Sequence, residues 1–412
     1  MHDENFVWLF LEPFVHLSTK NGHHLFYNAI TKKILEFHSD QAVDKICHHL
    51  SLPVNGYVIP LCENDFQLPS VTKLIRQLKR QYMVDILRPE WSSGKPVNIL
   101  PLPVVKKTNP ETPAVLSDHL KELLIHVNSD ASAYLELYDK ALYQFPFPSF
   151  QPEKSREMQY PLLQSVLQQL KELSNITINI IGSDIFQYSW FDEMVSLLNN
   201  SAFNKRYYLP IDQFNPGKIQ QIKKNSTLSF LVTFPMHLSS FEKIGREISS
   251  HQNKYLPVEF IFIVQNPEEV KQSQEVIQLF SLNKVYFKPY YNGKNLRFFE
   301  EQVFMTKEDI FASKPDQKQI FSRMTFNEND LGKITILPDG KTFANINDKV
   351  LGNLTRESLH HIILRECDSG RSWKRTRAKV NPCKDCVYHF LCPPISNYEL
   401  FLKRFNFCHI IP

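Results

Sequence analysis

The rhythm of apolar and polar positions changes twice along this 412-residue chain. Near the N-terminus, short β-like runs alternate with polar residues: Val15–Thr19, His24–Ala29 and Lys32–Phe37. Asn21-Gly22 between the first two predicts a tight hairpin, because that pair readily takes the left-handed backbone such turns need. A helical stretch over Asp40–Leu50, the strand-like GYVIPL and a helix over Ser70–Tyr82 follow. In the second helix Val71, Leu74, Ile75 and Leu78 recur at helical spacing. Residues 1–95 therefore read as a small winged-helix-like module. The proline-rich stretch Pro89–Pro103 marks its boundary.

The middle of the chain, 105–325, alternates apolar strands with helical stripes. The predicted strands are Leu123–Val127, Ile176–Ile181, Arg206–Ile211, Leu228–Phe234, Val258–Val264 and Val285–Tyr291. Continuous apolar runs suit parallel strands covered on both faces. Leu162, Leu163, Val166, Leu167, Leu170 and Leu173 make one helical stripe between strands. The class is α/β, with six strand–helix units in an open sheet or a partial barrel. The last segment, 326–412, opens with a hairpin around Pro338-Asp339-Gly340 and a short helix over Thr355–Arg365.

Chemistry concentrates at the C-terminus. The chain has seven cysteines, and Cys383, Cys386, Cys392 and Cys408 fall as C-x2-C-x5-C-x15-C. Such clustering is what four-thiolate coordination of zinc or of an iron–sulfur cluster requires. Both centres accept four thiolates, so spacing does not choose between them. A set closed by four sulfurs leaves no open position for substrate and suits a structural or electron-transfer role. Cys47 and Cys62 are too remote in sequence to join it.

Composition narrows the partners. The formal charge is only +4, with no long basic run, which gives nucleic acid little support. The N-terminus carries acidic residues where a signal peptide carries basic ones, and no window is long enough for a membrane span. A cytoplasmic protein is expected, and there thiols ligate metal rather than pair as disulfides. With 11 Gly and no G-x-G-x-x-G or P-loop, a nucleotide-phosphate cradle is not indicated.

Other residues are weaker candidates. His48-His49 beside Cys47 point in different directions on a helix; His360-His361 and Cys367 lie close to the cysteine cluster in sequence, where a fifth ligand is the alternative to a structural role, and His409, next to a proposed ligand, is expected to hydrogen-bond a sulfur or the backbone. Asp130, Asp184 and Asp212 fall near strand C-termini, where an enzyme places acids, but without a recognisable nucleophile and base. The basic stretch Lys374–Lys379 is a solvated face or a counter-charge to an anionic centre.

The C-terminal pattern carries a family resemblance. The hairpin at Leu337-Pro338-Asp339-Gly340, then Leu351-Gly352-Asn353, then the cysteine cluster resemble a SPASM domain, the auxiliary-cluster extension of radical SAM peptide-maturation enzymes. Leu391–Glu399, LCPPISNYE, with the distal Cys408, resembles more narrowly the pseudo-radical-SAM proteins of Bacteroidetes peptide-maturation systems and the grasp-with-SPASM maturases. The resemblance implies a partial (β/α)6 radical-SAM-like barrel in the middle and a leader-peptide recognition module before it.

The departures define the expected function. Radical SAM enzymes carry C-x3-C-x2-C after the first barrel strand, whereas Asn128–Phe145 contains no cysteine. Where the family has Gly-Gly-Glu, this chain has Gly182-Ser183-Asp184. Of the two SPASM clusters, the resemblance maps the outer one onto Cys383, Cys386, Cys392 and Cys408. The inner cluster's ligand positions hold Ser396, Asn345 and Asn347 instead. The implied protein holds one [4Fe–4S] cluster, with zinc as alternative, and does not turn over S-adenosylmethionine. It would be a pseudoenzyme with no catalytic residues, binding a precursor (leader) peptide, with other maturation enzymes or a transporter of the same system as further partners. Two other readings stay open: non-radical chemistry on the barrel, with Asp184 and Asp212 as first suspects, or a zinc-stabilised interaction module.

Overall fold

The computed structural model describes residues 6–38, 40–91, 94–98, 119–128, 157–171, 173, 175–223, 225–250 and 256–410. Asp130 and most of the segment 128–145 lie outside them, as does part of the expected linker 89–103.

The N-terminal region holds two three-stranded antiparallel sheets. The expected strands form β2 (Val15–Lys20), β3 (His23–Asn28) and β4 (Ile34–His38). Asn21 and Gly22 both have positive φ, as the hairpin turn demands. The second turn is built by Asn28, whose carboxamide oxygen accepts from the amides of Ile30 and Thr31. A second sheet, of β5 (Val58–Cys62) and β6 (Val84–Leu87) flanking β1 (Phe6–Leu11), was not apparent from the sequence. The helix Gln41–Ser51 starts at Asp40, whose carboxylate accepts from the amides of Ala42 and Val43. It packs with the helix Pro69–Arg80 over Leu9, Leu11, Val15 and Phe26, and Cys47 is buried in that core.

A nine-stranded sheet dominates the fold. Its parallel part runs in chain order: β7 (Glu122–His126), β8 (Thr177–Ile181), β9 (Asn204–Pro210), β10 (Ser226–Val232), β11 (Val258–Val264) and β12 (Val285–Pro289). Right-handed crossovers that always step the same way leave all the connecting helices on one face. Alternate residues Leu123, Ile125, Ile178, Ile180, Leu228, Phe230, Phe260 and Phe262 accordingly share one core with helical Leu163, Met194, Phe241 and Val276. The other face mixes apolar Ile181, Leu231 and Ile263 with a polar layer. There the Asn179 amide donates to Glu122, while Ser229 and Arg206 both engage Glu259. The fold is a mixed α/β one with a large parallel sheet.

The C-terminal hairpin is continuous with that sheet. β13 (Lys333–Ile336) pairs in parallel with β7, and β14 (Lys341–Phe343) and β15 (Gly352–Asn353) extend the edge antiparallel. Segment 326–412 thus shares a ladder with the middle of the chain. The following helix begins later than its apolar spacing suggests and spans Leu359–Ser369. Asn353 draws Thr355 into a turn through its side-chain oxygen, and Ser358 then caps the helix. Among the described residues, no helix is long and apolar enough to cross a membrane.

Candidate metal centre

The four clustered cysteines come together from three short segments. The 3-10 turn Cys383–Asp385 closes with the Cys386 amide donating to the Cys383 carbonyl at 3.0 Å, so both side chains leave one turn. Cys392 is placed by its amide bonding to the Tyr388 carbonyl at 3.2 Å. Cys408 returns from the tail through a parallel bridge to Met305, with the Met305 amide donating to Phe407 and the His409 amide donating to Met305. Cys383, Cys386 and Cys392 are buried, and Cys408 is half-buried.

Burial pushes the thiol of Cys386 up to about 11 and that of Cys392 up to about 12. Cys383 is raised for the same reason, with Arg377 opposing. The sulfurs also raise one another electrostatically, which ties all four to one neighbourhood. Thiols of this kind stay protonated near neutrality until a cation takes the proton's place.

A buried cation faces them. Arg377, 6 % exposed, forms a two-pronged pair with Glu399, 1 % exposed, at 2.8 and 3.2 Å. Its remaining hydrogens go to the carbonyls of Pro393 and Phe405 and to Cys383 Sγ at 3.6 Å. Burial works to discharge the guanidinium, but Glu399 and the sulfurs of Cys392 and Cys383 hold its proton more firmly than usual. Arg323 is a second cation coupled to Cys392, and it donates to the Leu391 carbonyl. An anionic thiolate centre needs such counter-charges in a low-dielectric site. The basic stretch Lys374–Lys379 is therefore divided. Arg377 turns inward to the sulfurs, Arg375 pairs with Asp348 at 2.7 Å, and Lys374 lies over Trp373.

Sulfur spacing bears on the ion. One tetrahedral zinc about 2.3 Å from each sulfur holds the sulfurs about 3.8 Å apart. Among the described residues, the only trio of ligand atoms mutually within 4.8 Å belongs to His23, Glu36 and His38. Four thiolates drawn together accept either that single zinc or a polynuclear centre. The donor set fits an iron–sulfur cluster: four sulfurs with cationic arginine beside them.

The positions implied for an inner cluster also converge, but with different chemistry. The Asn345 amide donates to Asp330 and to Asn397, each at 2.7 Å, and its oxygen accepts from Asn347. Ser396 forms a capping box with Glu399 for the helix Asn397–Leu402. Burial pushes the Asp330 carboxyl up to about 6. Cys367 lies apart, lining a small cavity with His119, Gly332 and Trp373.

The remaining described candidates are found in other local settings. Asp184 caps a 3-10 turn by accepting from the Phe186 amide at 2.9 Å. Asn128 packs against Gly182, where any Cβ would sit 2.2 Å from its side-chain oxygen, and it donates to the Asp184 carbonyl. Asp212 accepts from Ser240. His48 and His49 are exposed on their helix, and His409 bonds the Glu300 carbonyl. The sequence did not reveal that the cysteine segment packs under the N-terminal hairpin. Leu25 and Tyr27 of β3 share a core with Cys386, Val387, Phe390 and Cys392, and the Tyr27 hydroxyl donates to the Pro315 carbonyl. The only local signal was β3 itself, whose buried residues alternate to neither face.

No family model and no curated protein matches the chain. Among solved structures, it is similar to SuiB of Streptococcus suis bound to the precursor peptide SuiA, over 93% of this chain and 94% of that one, at 12% identity and a TM-score of 0.45. It is also similar to native anSMEcpe with bound AdoMet, over 69% of this chain and 93% of that one, at 11% identity and a TM-score of 0.47. Likeness at these scores carries no inference about activity or ligands.

Proposed function

We propose that this protein holds one four-cysteine cluster and serves as a non-radical binding partner in the maturation of a ribosomally made peptide. The observation that carries the reading is the convergence of Cys383, Cys386, Cys392 and Cys408 beside the buried Arg377–Glu399 pair. We take the centre as [4Fe–4S], with zinc as the alternative that four thiolates also accept. When bound, such a cluster would supply rigidity or one-electron transfer, and the chain's own residues would hold it, offset its charge and exclude water. The lack of radical chemistry rests on the cysteine-free sequence Asn128–Phe145 and on the commitment of Asp184 to capping its turn. A peptide would add a strand to an edge of the β2–β3–β4 sheet, its backbone giving affinity and alternate side chains giving specificity.

The decisive experiment starts from anaerobically purified full-length protein. Iron, sulfide and zinc analysis with an absorption spectrum should give an iron–sulfur signature. Incubation of the reduced protein with S-adenosylmethionine should yield no 5′-deoxyadenosine above background. Turnover by this chain alone would overturn the non-radical reading. Calorimetric titration with peptides encoded beside the protein tests the partner, and absence of binding to any of them would remove that role.

A further inference from the structure

A second constellation of metal-ligating side chains lies on the N-terminal sheet. In the β3–β4 ladder His23 stands opposite His38, and Leu25 stands opposite Glu36. Residues two apart on a strand share a face, so His23, Glu36 and His38 all project on the side that carries Leu25 and Tyr27 toward the cysteine segment. One ligand atom from each lies within 4.8 Å of the other two. The two imidazoles stack with centroids 4.3 Å apart.

Two polar atoms here lack an explanation within the protein. His23 Nε2 and Glu36 Oε1 are both buried, and neither has a hydrogen-bond partner. Buried polar groups are normally paired, and two such atoms beside a third ligand mark a place for a cation. The other carboxylate oxygen is occupied: Lys307 Nζ lies 2.6 Å from Glu36 Oε2, and Lys307 also lies over the Tyr388 ring. These contacts orient Glu36 for one-oxygen coordination, as outer-shell partners do around metal ligands. The Lys307 charge opposes a cation and limits its affinity. A cleft lined by Lys20, Asn21, His23, Asp385, Cys386 and Tyr388 opens beside the trio, and His38 is exposed, so an ion has a path in.

We propose that His23, Glu36 and His38 bind one borderline divalent transition-metal ion, with zinc as the probe, at a site separate from the cysteine centre. Two imidazoles and one carboxylate are a preferred zinc donor set and leave a fourth position open toward the cleft. The site goes beyond the function proposed above and does not depend on it.

The test uses full-length protein with its cysteine centre as purified, dialysed against buffered free zinc and counted by elemental analysis. Wild type should hold one zinc more than His38→Ala, a substitution at an exposed position that leaves the core intact. Glu36→Gln should weaken that extra zinc at least tenfold. X-ray absorption of the extra zinc should show nitrogen and oxygen neighbours without sulfur. Equal zinc in wild type and His38→Ala at every free-zinc concentration would overturn the proposal, as would sulfur in the shell of the extra ion.

Discussion

Two buried polar regions lie in the C-terminal part of the chain, and they are built from opposite chemistry. One gathers four thiols around Arg377 and Glu399. The other gathers Asn345, Asn397, Asp330 and Asn347, with Arg375 and Asp348 alongside. In the first, burial leaves soft donors waiting for a cation. In the second, amides and carboxylates bond one another, as Asn345 does with Asp330, Asn397 and Asn347.

The largest expected effect breaks the first region. Cys386→Ala should abolish metal retention and unfold the tail, since metal binding at such sites is folding free energy, about 10–16 kcal/mol for small structural zinc domains. Elemental analysis and thermal melting would check it, and full metal retention would remove Cys386 from the ligand set.

Next comes the counter-charge. Arg377→Met leaves Glu399 buried and unpaired and should cost about 3–5 kcal/mol, while Arg377→Met with Glu399→Met should recover much of that loss. Denaturant unfolding of the two variants against wild type measures the difference.

A smaller effect sharpens the second region through pH. Burial raises the Asp330 carboxyl to about 6, above its ordinary range. The fold therefore binds this proton more tightly than the unfolded chain does. The resulting stability is fully present below about pH 4 and is lost as pH rises through about 6, an effect on the order of 2–3 kcal/mol at most. Asp330→Asn should flatten the stability profile between those values; an unchanged slope in unfolding curves would assign it to other groups.

Least affected should be Cys367→Ser. Cys367 lies in a separate cavity, so metal content should not change and stability should fall by no more than about 1 kcal/mol. Loss of metal in this variant would join the two regions into one site.

The strands from β7 to β12 were legible because parallel strands packed under helices need apolar runs, and Val258–Val264 matches its predicted bounds. The hairpin at Asn21-Gly22 was legible because few residues accept positive φ. The clustering of four cysteines was legible because residues close in sequence converge cheaply, and the structure does bring Cys383, Cys386, Cys392 and Cys408 into one neighbourhood. The late start of the helix Leu359–Ser369 was not, because it depends on which neighbour Asn353 engages.

What the sequence determined by itself is therefore local: strand runs, turn chemistry and the spacing of four thiols. Tertiary structure decided the rest. Only folding brings β13 beside β7, lays β3 over Cys386 and Cys392, and turns Arg377 inward while Lys379 stays exposed. Those outcomes rest on long-range burial and charge pairing, whose energies depend on partners hundreds of residues away along the chain, as Tyr27 and Pro315 illustrate.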